Sequence, residues 1–367
     1  MHAKHFMYIS TLLLPSWLFA HTDTTKNNPF YFGVRSYYGF IIPHSESIRS
    51  ISYSRPRGIG IDAGWLALRQ RVWDHCFCYP LMGINFYYTN FNNHKILGRA
   101  YALLFYVEPA FAIYRQLYLS YRFGMGIAYM DTPYDSISNP RNLFYSTYLS
   151  FPLQAAVTLN LNRNNKLIYR LSFNYEHISN GGLKQPNKGI NYPTVSLGVN
   201  YFPDRIQRIE RPRVNYLLYS NAPQVNMVVS GTAKTISNNE QTRYAIFGLL
   251  LEAQKKFARI NAASLGTDIT IDYSLKEQLR RMNIDKDYYR VGLVAGHNLL
   301  MGKIVFYQKL GVYVYSPYKA KDPVYQRYGI LYRTAKNVSV GIDLKAHRHV
   351  ADFLDMRLAY HFTFQKQ

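Results

Sequence analysis

The chain has 367 residues, 48 % of them hydrophobic, and carries a net charge of +22. That length suits one large or two ordinary domains. No central run reaches the ~18 consecutive apolar residues of a membrane helix, and the basic balance comes without a recognisable nucleic-acid module, so a helical membrane protein and a nucleic-acid binder are both disfavoured.

In chain order, residues 1–20 read as a secretory signal. His2, Lys4 and His5 form a basic start, Ile9 to Phe19 is mostly apolar, and Ala20 offers a small residue for cleavage, although Leu18 is not small. Residues 21–28 are polar. Phe30, Phe32 and Val34 then alternate with Tyr31, Gly33 and Arg35, and Ile59, Ile61, Ala63 and Trp65 alternate with Gly60, Asp62 and Gly64. A two-residue period is the mark of a strand with unlike faces. Between these and the next strand lie Cys76 and Cys78. On a strand they would share a face but stand too far apart for an unstrained bridge, and a metal site would need more ligands nearby. They read as two small apolar side chains.

Further strands are predicted around Gly83–Phe91 and Gly98–Tyr114, the second bent or ended by Pro109. Leu117 to Tyr129 alternates clearly. Residues 131–140 form a loop by composition, and a strand is predicted from Tyr145 to Leu161. Beyond residue 190, Val195, Leu197, Val199 and Tyr201 alternate with Ser196, Gly198 and Asn200. Pro203 to Pro212 is basic and breaks the pattern, which reads as a connection on a membrane rim. The alternation resumes around Ile269, Val340 and Leu354–Phe364, and residues 275–286 suggest a short helix in a loop. His44, His75 and His94 are scattered, and His347 with His349 makes a poor metal site. No phosphate loop or metal cluster is visible, so no cofactor is expected.

A soluble sandwich would show the same alternation. Three features favour a membrane barrel: strands of ten or more residues, as a tilted membrane strand of about 9–11 requires; the export signal; and alternating aromatics at the C-terminus. Aromatic residues make up 16 % of the chain, which suits interfacial girdles. Since lipid offers no hydrogen bonds, such a sheet must close. The expected fold is all-β, a transmembrane antiparallel up-and-down barrel of roughly 14–16 strands, with an N-terminal barrel half at 21–203 and a C-terminal half at 204–367.

The most informative stretch is Tyr175 to Tyr192. Leu167, Tyr169, Leu171, Phe173 and Tyr175 form an apolar stripe, with Arg170, Ser172, Asn174 and Glu176 on the other side. Alternation carries His177 and Ser179 onto the apolar side, at its end. A hydroxyl nucleophile needs a base for its proton. Ser179 and His177 are the candidates. Glu176 alternates to the opposite, lumenal side. If the stripe faces lipid, the pair opens onto the edge of the bilayer.

Here the chain resembles the PagL-type lipid A 3-O-deacylases of bacterial outer membranes. His177, Ser179 and Asn180, then Gly182, Leu183, Lys184, Gln185, Pro186 and Asn187, stand as that family has them. The resemblance is specific at this motif and looser from about residue 30 to residue 203. It implies an oxyanion hole made by the Asn180 side chain and the Gly182 backbone amide, and a bacterial outer-membrane location. It also implies an ester hydrolase that takes lipid A, or lipopolysaccharide, as substrate. The basic charge fits the phosphorylated face of such a lipid. The family places Glu where Asn191 stands, so the resemblance makes Asn191 the candidate third member that orients the imidazole, as in Cys-His-Asn enzymes, although Asn cannot stabilise an imidazolium with a full charge. A phospholipid substrate and a non-catalytic barrel, pore or structural, are the competing readings.

Overall fold

The computed structural model describes residues 28–206, 222–236, 240, 242–318, 322–348 and 350–363. The expected signal at 1–20 and the basic connection beyond Ile206 lie outside these residues. The first strands are β1 (Phe30–Gly39), β2 (Arg57–Leu66), β3 (Leu81–Asn90), β4 (Arg99–Glu108), β5 (Ala110–Tyr114) and β6 (Leu117–Met130). They are followed by β7 (Leu149–Asn162), β8 (Leu167–Ser179) and β9 (Ile190–Tyr201). The second set is β10 (Gln224–Lys234), β11 (Tyr244–Lys256), β12 (Asn261–Asp272), β13 (Tyr289–Met301), β14 (Ile304–Tyr315), β15 (Val324–Arg333), β16 (Val338–His347) and β17 (Val350–Thr363). Two helices, α1 (Gln70–Cys76) and α2 (Tyr273–Arg281), lie in connections.

Every strand pairing is antiparallel, and the chain closes two barrels rather than one. In the first, β1 pairs with β9 and β4 pairs with β6. Pro109 separates β4 from β5, and both pair with β6, so they act as one strand bent at the proline. In the second, β10 pairs with β17 to complete an eight-stranded ring. Strand alternation shows that a span has two faces but not which distant strand completes the ring. That is why a single barrel of roughly 14–16 strands was the natural reading of the sequence.

The burial pattern decides between sandwich and membrane barrel. In β1 exposed and buried residues alternate without a break, and the buried set is Tyr31, Gly33, Arg35, Tyr37 and Gly39. The exposed set around the first barrel includes Phe32, Val34, Ile61, Phe86, Leu103, Phe123, Leu171, Phe173 and Leu197. A continuous apolar exterior of this extent is out of place in water and suits hydrocarbon. No described helix is long and apolar enough to cross a membrane.

The lumens hold the charge. In the first barrel the fully buried Arg122 donates from Nε to Glu108 at 2.7 Å and from Nη1 and Nη2 to Asp62 at 3.0 and 2.8 Å. Arg170 also donates to Glu108, and Arg35 to Asp62. In the second barrel Arg327 reaches Asp268 at 2.9 Å, Asp343 at 2.6 Å and Asp355 at 3.2 Å. Buried ions must be paired and hydrogen-bonded to be tolerated, and each cylinder holds such a cluster.

Two local expectations are corrected. Cys76 and Cys78 are not on a strand. Cys76 ends α1, Phe77 turns the chain with a left-handed φ of 54°, and the two sulfurs form a disulfide with Cα atoms 5.1 Å apart. Tyr145 lies in the loop before β7 rather than on a strand, buried with its hydroxyl donating to the Leu97 carbonyl. The helix expected at 275–286 is α2, started slightly earlier by Asp272, whose side chain caps the amides of Ser274 and Leu275.

Arg327→Met would leave three buried carboxylates without their shared partner. The expected cost is about 3–5 kcal/mol, seen as a lower urea midpoint for the second barrel in lipid vesicles. An unchanged midpoint would show that the cluster does not stabilise the ring.

Candidate active site

The motif lies where β8 leaves the barrel wall. Tyr169, Leu171, Phe173 and Tyr175 point outward, while Arg170, Ser172, Asn174 and Glu176 are buried in the lumen. His177 and Ser179 follow on the outward side. Glu176 stays inside, accepting from Gln154 and Thr194 at 3.3 Å each. It cannot serve the outward imidazole.

Strands β8 and β9 place His177 opposite Asn191, and their side chains meet with Nδ1 and Oδ1 2.6 Å apart. An amide oxygen only accepts, so His177 Nδ1 carries the hydrogen. Its Nε2 is then left with a free lone pair, the state a general base requires. Asn191 Nδ2 in turn donates to His44 Nδ1 at 3.2 Å, and His44 Nε2 donates to the Lys188 carbonyl at 3.0 Å. This leaves the nearby Ile42 carbonyl without a proton from the ring. His44 lies in the connection after β1, 147 residues from Asn191. Nothing in its sequence context set it apart from the scattered histidines.

Gly189 brings base and hydroxyl to one point. With φ of +70° and no side chain, it lies against both. A Cβ built there would be 2.6 Å from His177 Cε1, 3.3 Å from His177 Nε2 and 3.4 Å from Ser179 Cβ. The two groups therefore border the same small space, although they do not hydrogen-bond each other in this arrangement. Catalytic hydrogen bonds often shorten only when substrate is bound. Ser179 is 6 % exposed.

The rest of the motif builds that loop. The Asn180 amide group donates to Ser146 Oγ at 3.1 Å and to the Lys184 carbonyl at 2.7 Å, and its Oδ1 accepts from the Gly182 N–H at 3.0 Å. Asn187 Oδ1 accepts from the Asn180 N–H, and the Gln185 side chain accepts from the Asn187 N–H, both at 3.1 Å. Ser146 donates to the Lys184 carbonyl, and the Lys188 and Gly189 amides donate to the carbonyls of Leu143 and Phe144. Asn180 and Gly182, the expected oxyanion donors, are thus adjacent to Ser179 but bonded to each other and to the loop. Among the described residues, no group of three His, Cys, Asp or Glu side chains could hold a metal ion.

Beside the site, on the outer wall of β1 and β9, runs a cavity of about 440 Å³ lined by Tyr38, Phe40, Phe173, Pro193, Val195 and Leu197, with Arg55 also reaching it. Pro193 is two residues from Asn191 on β9, so the groove follows the same outward row that carries Asn191.

Two family models match. One, described as lipid A 3-O-deacylase (PagL), matches residues 59–200, and the other, acyloxyacyl hydrolase C-terminal domain, matches residues 223–366. A search of curated proteins found no match. Among solved structures, the chain is similar to the outer membrane enzyme PagL, with 17 % identity, a TM-score of 0.34, and coverage of 45 % of this chain and 97 % of that one. It is similar to the Neisserial surface protein A at 12 % identity and TM-score 0.31, covering 47 % of this chain and 96 % of that one. A mutant Rh. blastica porin aligns over 91 % of this chain and 99 % of its own, at 12 % identity and TM-score 0.21.

The Gly189 geometry generates a direct test. Gly189→Ala would force a methyl against the His177 ring and a residue with a side chain into positive φ. A displacement of about 1 Å at a reacting group costs roughly a hundredfold in rate. Hydrolysis should fall by that order while the barrel still shows its heat-dependent gel shift. Full activity in a folded Gly189→Ala variant would remove this glycine from the site.

Proposed function

Because the chain belongs to the lipid A 3-O-deacylase (PagL) family of ester hydrolases, we propose that it works in the bacterial outer membrane and removes a 3-O-linked acyl chain from lipid A. One observation carries this reading: His177, polarised by Asn191, and Ser179 share a space on the outward side of a membrane strand. A soluble ester has no reason to be met there. A lipid anchored in the same layer brings its ester to that height without leaving the bilayer, and the groove of Tyr38, Phe40, Phe173 and Leu197 offers apolar surface for a chain.

Orientation supports the same reading. The connections at the motif's end of the first barrel, 40–56, 91–98, 131–148 and 180–189, are long, and the second barrel carries α2 at the corresponding end. At the opposite end the turns 163–166, 257–260, 302–303 and 334–337 are short, though 67–80 is an exception. Outer-membrane barrels keep short turns on the periplasmic side and longer loops outside. The site then stands in the outer leaflet, where lipid A resides.

In the reaction, His177 Nε2 takes the proton of Ser179 Oγ as the oxygen attacks the ester carbonyl. The tetrahedral oxyanion forms beside Asn180 and Gly182. The Gly182 N–H can turn to it by releasing Asn180 Oδ1, and the Asn180 amide by releasing Ser146, exchanging internal bonds for bonds to developing charge. Collapse breaks the bond to the sugar oxygen, which receives the proton from His177. Water, deprotonated by the same nitrogen, then frees the hydroxy fatty acid and restores Ser179. Asn191 holds the imidazole through a neutral oxygen, as Cys-His-Asn enzymes do, and His44 fixes the Asn191 amide in turn.

Ser179→Ala and His177→Ala should each lower release of 3-hydroxy fatty acid from lipid A by about a thousandfold or more, read by mass spectrometry, with folding intact. Two folded, fully active variants would end the assignment. Asn191→Glu should keep or raise activity, because a carboxylate in that place accepts the same hydrogen and adds charge. Loss of acyl chains from phospholipids, with lipid A untouched, would move the substrate to the glycerolipids.

A further inference from the structure

The loop that follows Ser179 leans on the other barrel. Gly181 and Gly182 have φ of 64° and 81°, and the open side of each faces the start of β17. A Cβ at Gly181 would lie 3.4 Å from Leu354 Cβ and 3.7 Å from Leu354 Cδ2, with Phe151 of β7 3.5 Å away. A Cβ at Gly182 would lie 3.1 Å from the Asp352 carbonyl oxygen and 3.5 Å from Phe353 Cα. The two backbones approach with no space for a layer of lipid between them. Leu354 belongs to the outward row of β17 with Met356, Leu358 and Tyr360. Met356 is 75 % exposed, but Leu354, two residues nearer the loop, is half-buried. The strand start is anchored from within its own barrel, since Lys234 Nζ donates to Asp352 at 2.8 Å.

The nucleophile thus has two unlike flanks. Towards β9 the apolar groove opens onto the bilayer. Towards β7 the protein continues into Leu354. We infer that Leu354, at the start of β17, forms the second wall of the substrate site, so that an acyl chain of the lipid held at Ser179 runs against the second barrel. This rests on the hydrolase reading above. It gives the C-terminal barrel a place in selecting the substrate, because a lone first barrel would leave that flank to free lipid. Apolar subsites discriminate by about 10- to 200-fold per methylene, so the size of residue 354 sets which chains fit.

The test uses the full chain in vesicles containing lipid A. Leu354→Trp should lower fatty acid release from lipid A about tenfold or more. Leu354→Ala should shift the released acids towards longer chains. Release by Leu354→Trp at the parental rate and with the parental chain profile overturns the inference. A benzophenone amino acid placed at 354 reads the same wall without catalysis. Cross-links to residues 180–183 or to lipid A support it, and cross-links to bulk phospholipid alone overturn it. If the parent chain releases no acid, the hydrolase reading fails, and the cross-link still decides the wall.

Discussion

In hydrocarbon a backbone amide without a partner costs several kcal/mol, and no side chain on the lipid face is free to supply one. Closure is the only remedy, and the pairings of β1 with β9 and of β10 with β17 provide it. Once the rings are closed, each strand's two faces have fixed surroundings. Tyr175 and its row meet lipid, while Glu176 and its row meet the packed lumen. The candidate site follows from this division. His177 and Ser179 continue the lipid-facing row beyond Tyr175, its last aromatic.

Holding an imidazole and a hydroxyl together at the end of that row requires a stiff loop, and most of the motif serves that need. Asn180, Lys184, Gln185 and Asn187 bond among themselves and to Ser146. A loop satisfied internally does not borrow water from above or disturb lipid below. The glycines occupy the points of closest approach, Gly189 against the imidazole and Gly182 against a neighbouring backbone. A long ungapped motif in this chain is therefore only partly about reaction chemistry. Its larger part is about loop geometry.

Much of this could be read from residue order. Alternation located the faces of β1, β2, β6, β8 and β9, marked the bend at Pro109, and sent Glu176 to the inside and His177 to the outside. It failed wherever the outcome depended on residues distant in the chain. His44 looks like any other histidine until the connection after β1 folds over Asn191. Cys76 and Cys78 read as a strand pair because period-two logic was extended through a segment that turns into α1. Two rings rather than one is a matter of which edges meet, and no local pattern encodes that. The contacts of Gly181 and Gly182 with β17 are of the same kind, spanning most of the chain.

The packing inside the two cylinders has a last consequence. Arg122 and Arg327 are held among carboxylates inside them, so the inner side of each ring is charged where its outer side is apolar. On the proposed hydrolase reading, an acyl chain cut at the outer wall starts on the lipid side of the ring, not on this charged side. Were that reading to hold, the freed fatty acid and the trimmed glycolipid would part company sideways, and clearing the acid would fall to the surrounding membrane.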